Sequence, residues 1–366
     1  QVQSLFPRTA AVGAAFGVIL VRSRGVTTEV ATFRSDADYT DRRRPDAVVF
    51  SGPEEDARRR DFTINALFLD PLEPDADRAV IDFVGGRADL DAGVVRAVGD
   101  PEVGLAEDHL RALRAVRFAR RLGFSLDPAT ARAITDHASE LAGVSRERIG
   151  DEVRKMLSSP SRAGAAADLQ RLGLDRPVLG EANPHAELRV LGSLPDDAAY
   201  STALAAWAID RGLDPSRPGD RAALVPAWRR ALCLTNNERD ALRGTLACLS
   251  DMLTRWAHAG VAERKRSAAS RDFPAALDVC RGFGPSQAER IAADVEDLKR
   301  TGPGLAPPPL VNGDVLVQAG LRPGPAIGKI LDATYDAQLE GRVTTEEQAI
   351  RHAMELAAEL GVKPEG

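Results

Sequence analysis

From about Glu107 to Leu298, apolar residues recur at three- and four-residue spacing, in segment after segment punctuated by Pro and Gly. That period belongs to the α-helix, so most of the chain has to fold as packed amphipathic helices. The clearest segments are EDHLRALRAVRFARRLGF (107–124), DPATARAITDHASELAGV (127–144), SRERIGDEVRKMLSS (145–159) and RAGAAADLQRLGL (162–174). Residues 1 to about 85 differ: FGVILV (16–21), a turn at Arg24-Gly25 and TTEVATF (27–33) predict an antiparallel hairpin, and DAVVFS (46–51) and AVIDFV (79–84) read as short extended pieces. EEDARRRDFTINALFLD (54–70) opens with acids suited to a helix start, so the amino-terminal part is expected to be a small mixed sheet with helices. RGLDPSRPGD (211–220) predicts an exposed loop, and TGPGLAPPPL (301–310) a linker, because its prolines sustain neither a helix nor a central strand. A short helical tail follows.

Several classes are excluded. The longest apolar stretch, near Ala10 to Val21, is broken by Gly13 and Gly17 and is too short to span a bilayer. Cys233, Cys248 and Cys280 are far apart and odd in number, which offers neither a disulfide framework nor a Cys-x-x-Cys metal site and points to reducing cytoplasm. His109, His137, His185, His258 and His352 lack metal-ligand spacing, and Asp136-His137 reverses the order of an HD phosphohydrolase pair. Trp207, Trp228 and Trp256 lie in Ala-rich helical surroundings and are expected in the core.

The net charge of −6 argues against bulk coating of nucleic acid. Arginine nevertheless outnumbers lysine 43 to 5 and clusters at Arg42–Arg44, Arg58–Arg60 and along Arg111 to Arg121. A GC-rich coding sequence leaves such a bias, but the clusters can also build local anion sites. RRDFTINA (59–66) is the most specific stretch: Arg60 can grip phosphate, Asp61 can orient it, and Asn65, one helical turn after Asp61, can bond a ribose hydroxyl. In EDHLRALRAVRF (107–118), Asp108, Arg111, Arg114 and Arg117 advance as a polar stripe along a helix. Asp108 accepts and Arg111 donates, which suits a nucleobase edge, and Arg114 and Arg117 remain for phosphate. In SRERIGDE (145–152), Glu147, Arg148 and Glu152 suit supporting ion pairs.

RRDFTINA, IDFVGGRADL (81–90) with Arg96, EDHLRALRAVRF and SRERIGDE, in this order, resemble the class II, bacterial-type tRNA nucleotidyltransferase and poly(A) polymerase family. The resemblance covers about Leu5 to Leu157, and residues 310–331 resemble the tail of some members. Residues 180–298 carry no signature of it.

The resemblance implies an α+β protein. A nucleotidyltransferase-type α/β head, incomplete at its amino terminus (1–88), would precede a helical neck (89–178), a helical body (179–300), and a Pro-rich linker with helical tail (301–366). It implies untemplated addition of CCA, or part of it, to tRNA 3′ ends from CTP and ATP, with two Mg²⁺ ions held by carboxylates. By motif position, Arg60, Asp61, Asn65, Asp108, Arg111, Arg114 and Arg117 would bind the nucleotide, while Glu147 and Arg148 would brace the base-reading helix.

Poly(A) addition and a noncatalytic RNA-binding remnant are the alternatives. CCA addition is favoured by the acidic net charge and by the lack of an extended basic carboxy-terminal tail. The family also carries a Gly-Gly-x-Val-Arg-Asp turn and a metal-binding Asp-x-Asp pair ahead of the stretch matched here by Phe6-Pro7-Arg8-Thr9. Neither is expected in this sequence, which opens at Gln1 without Met, and a polypeptide of these 366 residues is expected to be inactive in transfer. Glu29 is then the candidate catalytic, metal-facing acid.

Overall fold

The computed structural model describes residues 1–13, 18–36, 48–181 and 187–362. The chain forms two compact units, Gln1–His185 and Ala186–Gly366. Phe16 and Gly17, the Arg42–Arg44 cluster, Asp46 and His185 lie outside the described residues.

The first unit opens with a three-stranded antiparallel sheet of Thr9–Gly13, Val18–Ser23 and Val26–Ala31. The last two strands are the expected hairpin. Arg24 and Gly25 turn it with φ of 51° and 81°, both left-handed as a two-residue turn with the twist of the strands requires. The outer strand, Thr9–Gly13, is built largely of small residues that give little strand signal, and sequence patterning missed it. The expected single mixed sheet is instead divided among the described residues. Arg34–Asp36 pairs with Val48–Phe50 and Phe68–Leu69 with Val80–Ile81, both antiparallel, while Val94–Val95 pairs in parallel with Ser125–Leu126.

Two expected helices are broken, and both breaks shape the site. Residues 54–70 form a helix only over Pro53–Arg58; Phe62 is extended at φ −130°, and Thr63–Asn65 is a single 3₁₀ turn. Tertiary contacts override the helical pattern here. Phe62 is buried edge-on to Phe118 at 5.8 Å, Thr63 N donates to Arg96 O, and Val98 N donates to Asp61 O. Residues 107–124 likewise divide into Pro101–Glu107 and Arg111–Leu122, with Asp108 extended between them.

IDFVGGRADL holds the first break in place. The Asp82 carboxylate accepts backbone N–H bonds from Val84, Gly85, Gly86 and Arg87. Burial pushes its pKa up, but these four donors outweigh it and hold the carboxyl below its ordinary value. Gly86 packs so close to the 3₁₀ turn that a Cβ would stand 2.2 Å from Thr63 O. Three residues on, Asp89 accepts Thr63 Oγ1 at 2.7 Å and Arg96 Nε at 3.1 Å, and Arg96 also bonds Asp127.

The second unit is helical among its described residues. Trp207 and Trp228 are buried together with ring centroids 5.5 Å apart, and Trp256 packs on Phe273 while donating Nε1 to Asp294. These are core positions, as expected. Of residues 211–220, the last three already belong to the Pro218–Leu232 helix, since Pro218 takes the first helical turn where no N–H is needed.

The segment 301–310 has neither helix nor strand, yet it is strapped down. Tyr335 Oη and Gln338 Nε2 donate to the carbonyls of Pro307 and Pro308, and Leu310 N donates back to Gln338 Oε1. Buried Lys265 bonds Thr301 O at 2.8 Å and Leu339 O at 3.0 Å, at the carboxy-terminal ends of the Pro285–Arg300 and Pro325–Leu339 helices, where a cation is favoured. No helix among the described residues is long and apolar enough to cross a membrane, and none of the three cysteines is in a disulfide.

Gly86→Ala is expected to lower unfolding free energy by about 1–3 kcal/mol, the usual cost of forcing an extra methyl into a close contact. A urea melt checks this, and a variant as stable as the parent contradicts the close approach to Thr63.

Candidate nucleotide-binding site

Asp61 is the centre of the site. Its Oδ1 accepts from Phe62 N at 2.9 Å and Asn65 Nδ2 at 3.0 Å, while Oδ2 accepts from Arg114 Nε at 2.7 Å. The side-chain partnership of Asp61 with Asn65 therefore exists without the shared helix face the spacing suggested. The 3₁₀ turn after extended Phe62 brings Asn65 back instead.

Behind this carboxylate stands a second, Asp56, almost fully buried. Its Oδ1 takes Nε and Nη2 of Arg59, and its Oδ2 takes Nε and Nη2 of Arg60, so each oxygen receives one guanidinium edge. Arg60 Nη1 is fixed further by Asn65 O at 2.7 Å, and its guanidinium lies 5.0 Å from the Phe68 ring centroid. The signal for Asp56 was present in the sequence: a carboxylate three and four residues ahead of two arginines pairs with both across a helical turn.

The break at Asp108 to Leu110 sets the opposite wall. Asp108 Oδ1 accepts Leu110 N at 3.1 Å, and Oδ2 accepts Arg148 Nη2 at 2.7 Å. Asp108 thus precedes the helix rather than lying on its stripe, and Arg148 of the Arg146–Leu157 helix holds it. Arg111 Nη2 reaches Arg59 O at 3.1 Å and Glu107 at 3.0 Å.

Arg59, Arg60, Asp61, Asn65, Asp108, Arg111, Arg114 and Phe118 line one cavity of about 510 Å³, within the range of small-molecule sites. Four arginines face two aspartates there, which leaves the lining positive. Phe118, unassigned by the sequence, lies under Arg114 at 5.5 Å.

Three expected site residues stand elsewhere. Arg117 is buried in an ion pair with Glu152, Nε to Oε2 2.5 Å, and is not part of this lining. Burial pushes the Glu152 carboxyl up, but the bonds from Arg117 and Lys155 and their charges outweigh it and leave the pKa below its ordinary value. Glu147 is exposed in the first turn of its helix, and the brace from that helix comes from Arg148 and Glu152. Glu29 is exposed on Val26–Ala31, opposite Leu20 in the register, and does not line the cavity.

Among the described residues no three His, Cys, Asp or Glu stand together as a metal set. The letters Asp-x-Asp occur at Asp36-Ala37-Asp38, Asp75-Ala76-Asp77 and Asp89-Leu90-Asp91, all after the Phe6-Pro7-Arg8-Thr9 stretch that the family's pair precedes. Asp75 caps a short helix through Asp77 N, and Asp89 holds Thr63 and Arg96.

A cavity walled by arginines, each already seated on a carboxylate or carbonyl, defines a protein built to hold a compact polyanion. Residues 1–96 match the model of the poly A polymerase head domain, and residues 123–185 match a model described as a probable RNA and SrmB-binding site of polymerase A. The CCA-adding enzyme of Geobacillus stearothermophilus is 34% identical over 96% of this chain and 84% of its own length. That of Limosilactobacillus fermentum is 33% identical over 96% of this chain and 84% of its own length. The crystal structure of the Bacillus stearothermophilus CCA-adding enzyme in complex with CTP is similar over 98% of this chain and 86% of that one, at 31% identity and a TM-score of 0.78. The chain belongs to the family of CCA-adding enzymes.

Because the Glu152 pKa is depressed in the fold, its pairing contributes stability above the unfolded value of about 4.3 and loses it as pH falls through the folded value. Glu152→Gln leaves Arg117 charged and buried, so it is expected to cost about 3 kcal/mol at neutral pH and to flatten the acid limb of stability against pH. Urea melts from pH 7 to pH 3 measure both effects; a parallel acid limb in the variant contradicts the assignment.

Proposed function

We propose that this chain binds CTP and ATP in the arginine-lined cavity and acts in the untemplated addition of CCA to tRNA 3′ ends. One observation carries this reading: Arg60, Asp61, Asn65, Asp108, Arg111 and Arg114, singled out from separate motifs, line a single cavity. The family supports it, since its named relatives are CCA-adding enzymes.

In this reading Arg60 and Arg114 bind the triphosphate, and Asn65 bonds the sugar. Asp108 and Arg111 read the base. Cytosine and adenine both present an amino donor beside a ring-nitrogen acceptor, which an acceptor carboxylate and a donor guanidinium complement; guanine and uracil present the reverse. Asp56 and Asp61 hold the arginines in place before the nucleotide arrives, so less side-chain freedom is lost on binding. Arg148 fixes the Asp108 carboxylate, and Arg117 with Glu152 braces the helix that carries Arg111 and Arg114. Head, neck, body and tail follow the divisions at 88, 178 and 300, and cysteines outside any disulfide together with a tRNA substrate agree with a cytoplasmic location.

Mg²⁺, which the resemblance implies, would supply charge neutralisation at the phosphates.

Asp108→Ala with Arg111→Ala is expected to abolish the preference for CTP and ATP over UTP and GTP, a loss of roughly tenfold or more for one bidentate base contact. Competition binding with the four nucleotides measures it, and unchanged selectivity refutes base reading by this pair.

A further inference from the structure

We propose that a second cavity, two turns further along the Arg111–Leu122 helix, binds the phosphate backbone of the RNA near its 3′ end. It encloses about 220 Å³ and is lined by Arg117, Arg120, Arg121, Lys155, Ser159 and Ser161, over an apolar floor of Met156 and Ala165. That is room for a phosphodiester group.

Its charge is unbalanced. Two buried acids stand behind the lining: Glu152 takes Arg117 and Lys155, and Asp168 takes Arg120 through Nε and Nη2 and also Arg171. Arg121 has no acidic partner among the described residues and is exposed. Positive charge therefore exceeds negative, and the cations are held in place by the acids rather than neutralised one for one. Ser159 and Ser161 add two hydroxyls 3.0 Å apart. Arg120 crosses to the Arg162–Arg171 helix over Gly164, where a Cβ would stand 3.2 Å from its Cδ. Fixed guanidinium, ammonium and hydroxyl donors around a small cavity are the chemistry that recognises phosphate.

The spacing selects the source of that phosphate. Arg114 of the nucleotide cavity and Arg121 are seven residues apart, so they share a helix face about 10 Å apart along the axis. About three stacked nucleotides at ~3.4 Å each span that distance. An RNA end whose last residue meets a nucleotide at Arg114 thus places an upstream phosphate at Arg121. Part of the cavity also falls within residues 123–185, which match the RNA-binding model.

The inference rests on the CCA-adding reading, and its test separates the two. Polarisation titrations with tRNA lacking its CCA end, and with CTP, are compared for the parent chain, Arg121→Ala and Arg121→Lys over a series of salt concentrations. Arg121→Ala is expected to weaken tRNA binding about three- to tenfold and to reduce the slope of log affinity against log salt by about 0.7–0.9, leaving CTP affinity unchanged; Arg121→Lys restores the slope. Thermal melts confirm that both variants fold. Unchanged tRNA affinity and slope in Arg121→Ala overturn the inference, as does an equal loss for CTP, which would assign the cavity to a nucleotide tail. Failure of the parent chain to bind tRNA overturns both this inference and the CCA-adding reading.

Discussion

The carboxylate of Asp61 joins two parts of the chain that are distant in sequence. One oxygen organises the turn through Phe62 N and Asn65, and the other takes Arg114 from a helix 53 residues later. The amino-terminal turn and the Arg111–Leu122 helix are thereby fixed in one geometry. Every other feature of the cavity is arranged around that bond: Asp56 fixes the arginines on one wall, Arg148 fixes Asp108 on the other, and Phe62 against Phe118 fills the space beneath.

This arrangement accounts for an acidic protein with an arginine-lined site. Bare guanidinium groups in a cavity repel one another, and each long side chain loses rotamer freedom when it is ordered. Seating each on a carboxylate or carbonyl offsets both costs during folding, before any ligand is present. The same device recurs at Glu152 and Asp168, where an acid holds two cations apiece. The net charge of −6 thus says little about local potential.

The sequence showed the members of the cavity better than its geometry. Residues from RRDFTINA and EDHLRALRAVRF do converge, because the letters that bind anions are chemically distinctive. The two chain breaks were not legible, since helical periodicity continues through Phe62 and Asp108 while tertiary contacts end the helices: burial of Phe62, and Asp108 turned to Leu110 N and Arg148. Arg117 looked equivalent to its neighbours at three-residue spacing. Only the fold shows that it points at Glu152, because the stripe drifts around the helix until it meets the next one. The short strands escaped for a similar reason: two-residue pairings are decided by partners distant in sequence, not by local preference.

Lys265 gives the last third of the chain a different character from that of an appended tail. A single ammonium ties Thr301, 36 residues on, to Leu339, 74 residues on, and the proline carbonyls between them are claimed by Tyr335 and Gln338. A segment with no helix or strand of its own is in this way made a cooperative part of its neighbours. Its amides are expected to share the protection of the helices it touches, so that the segment opens together with the Val261–Ala268 and Pro325–Leu339 helices and not ahead of them.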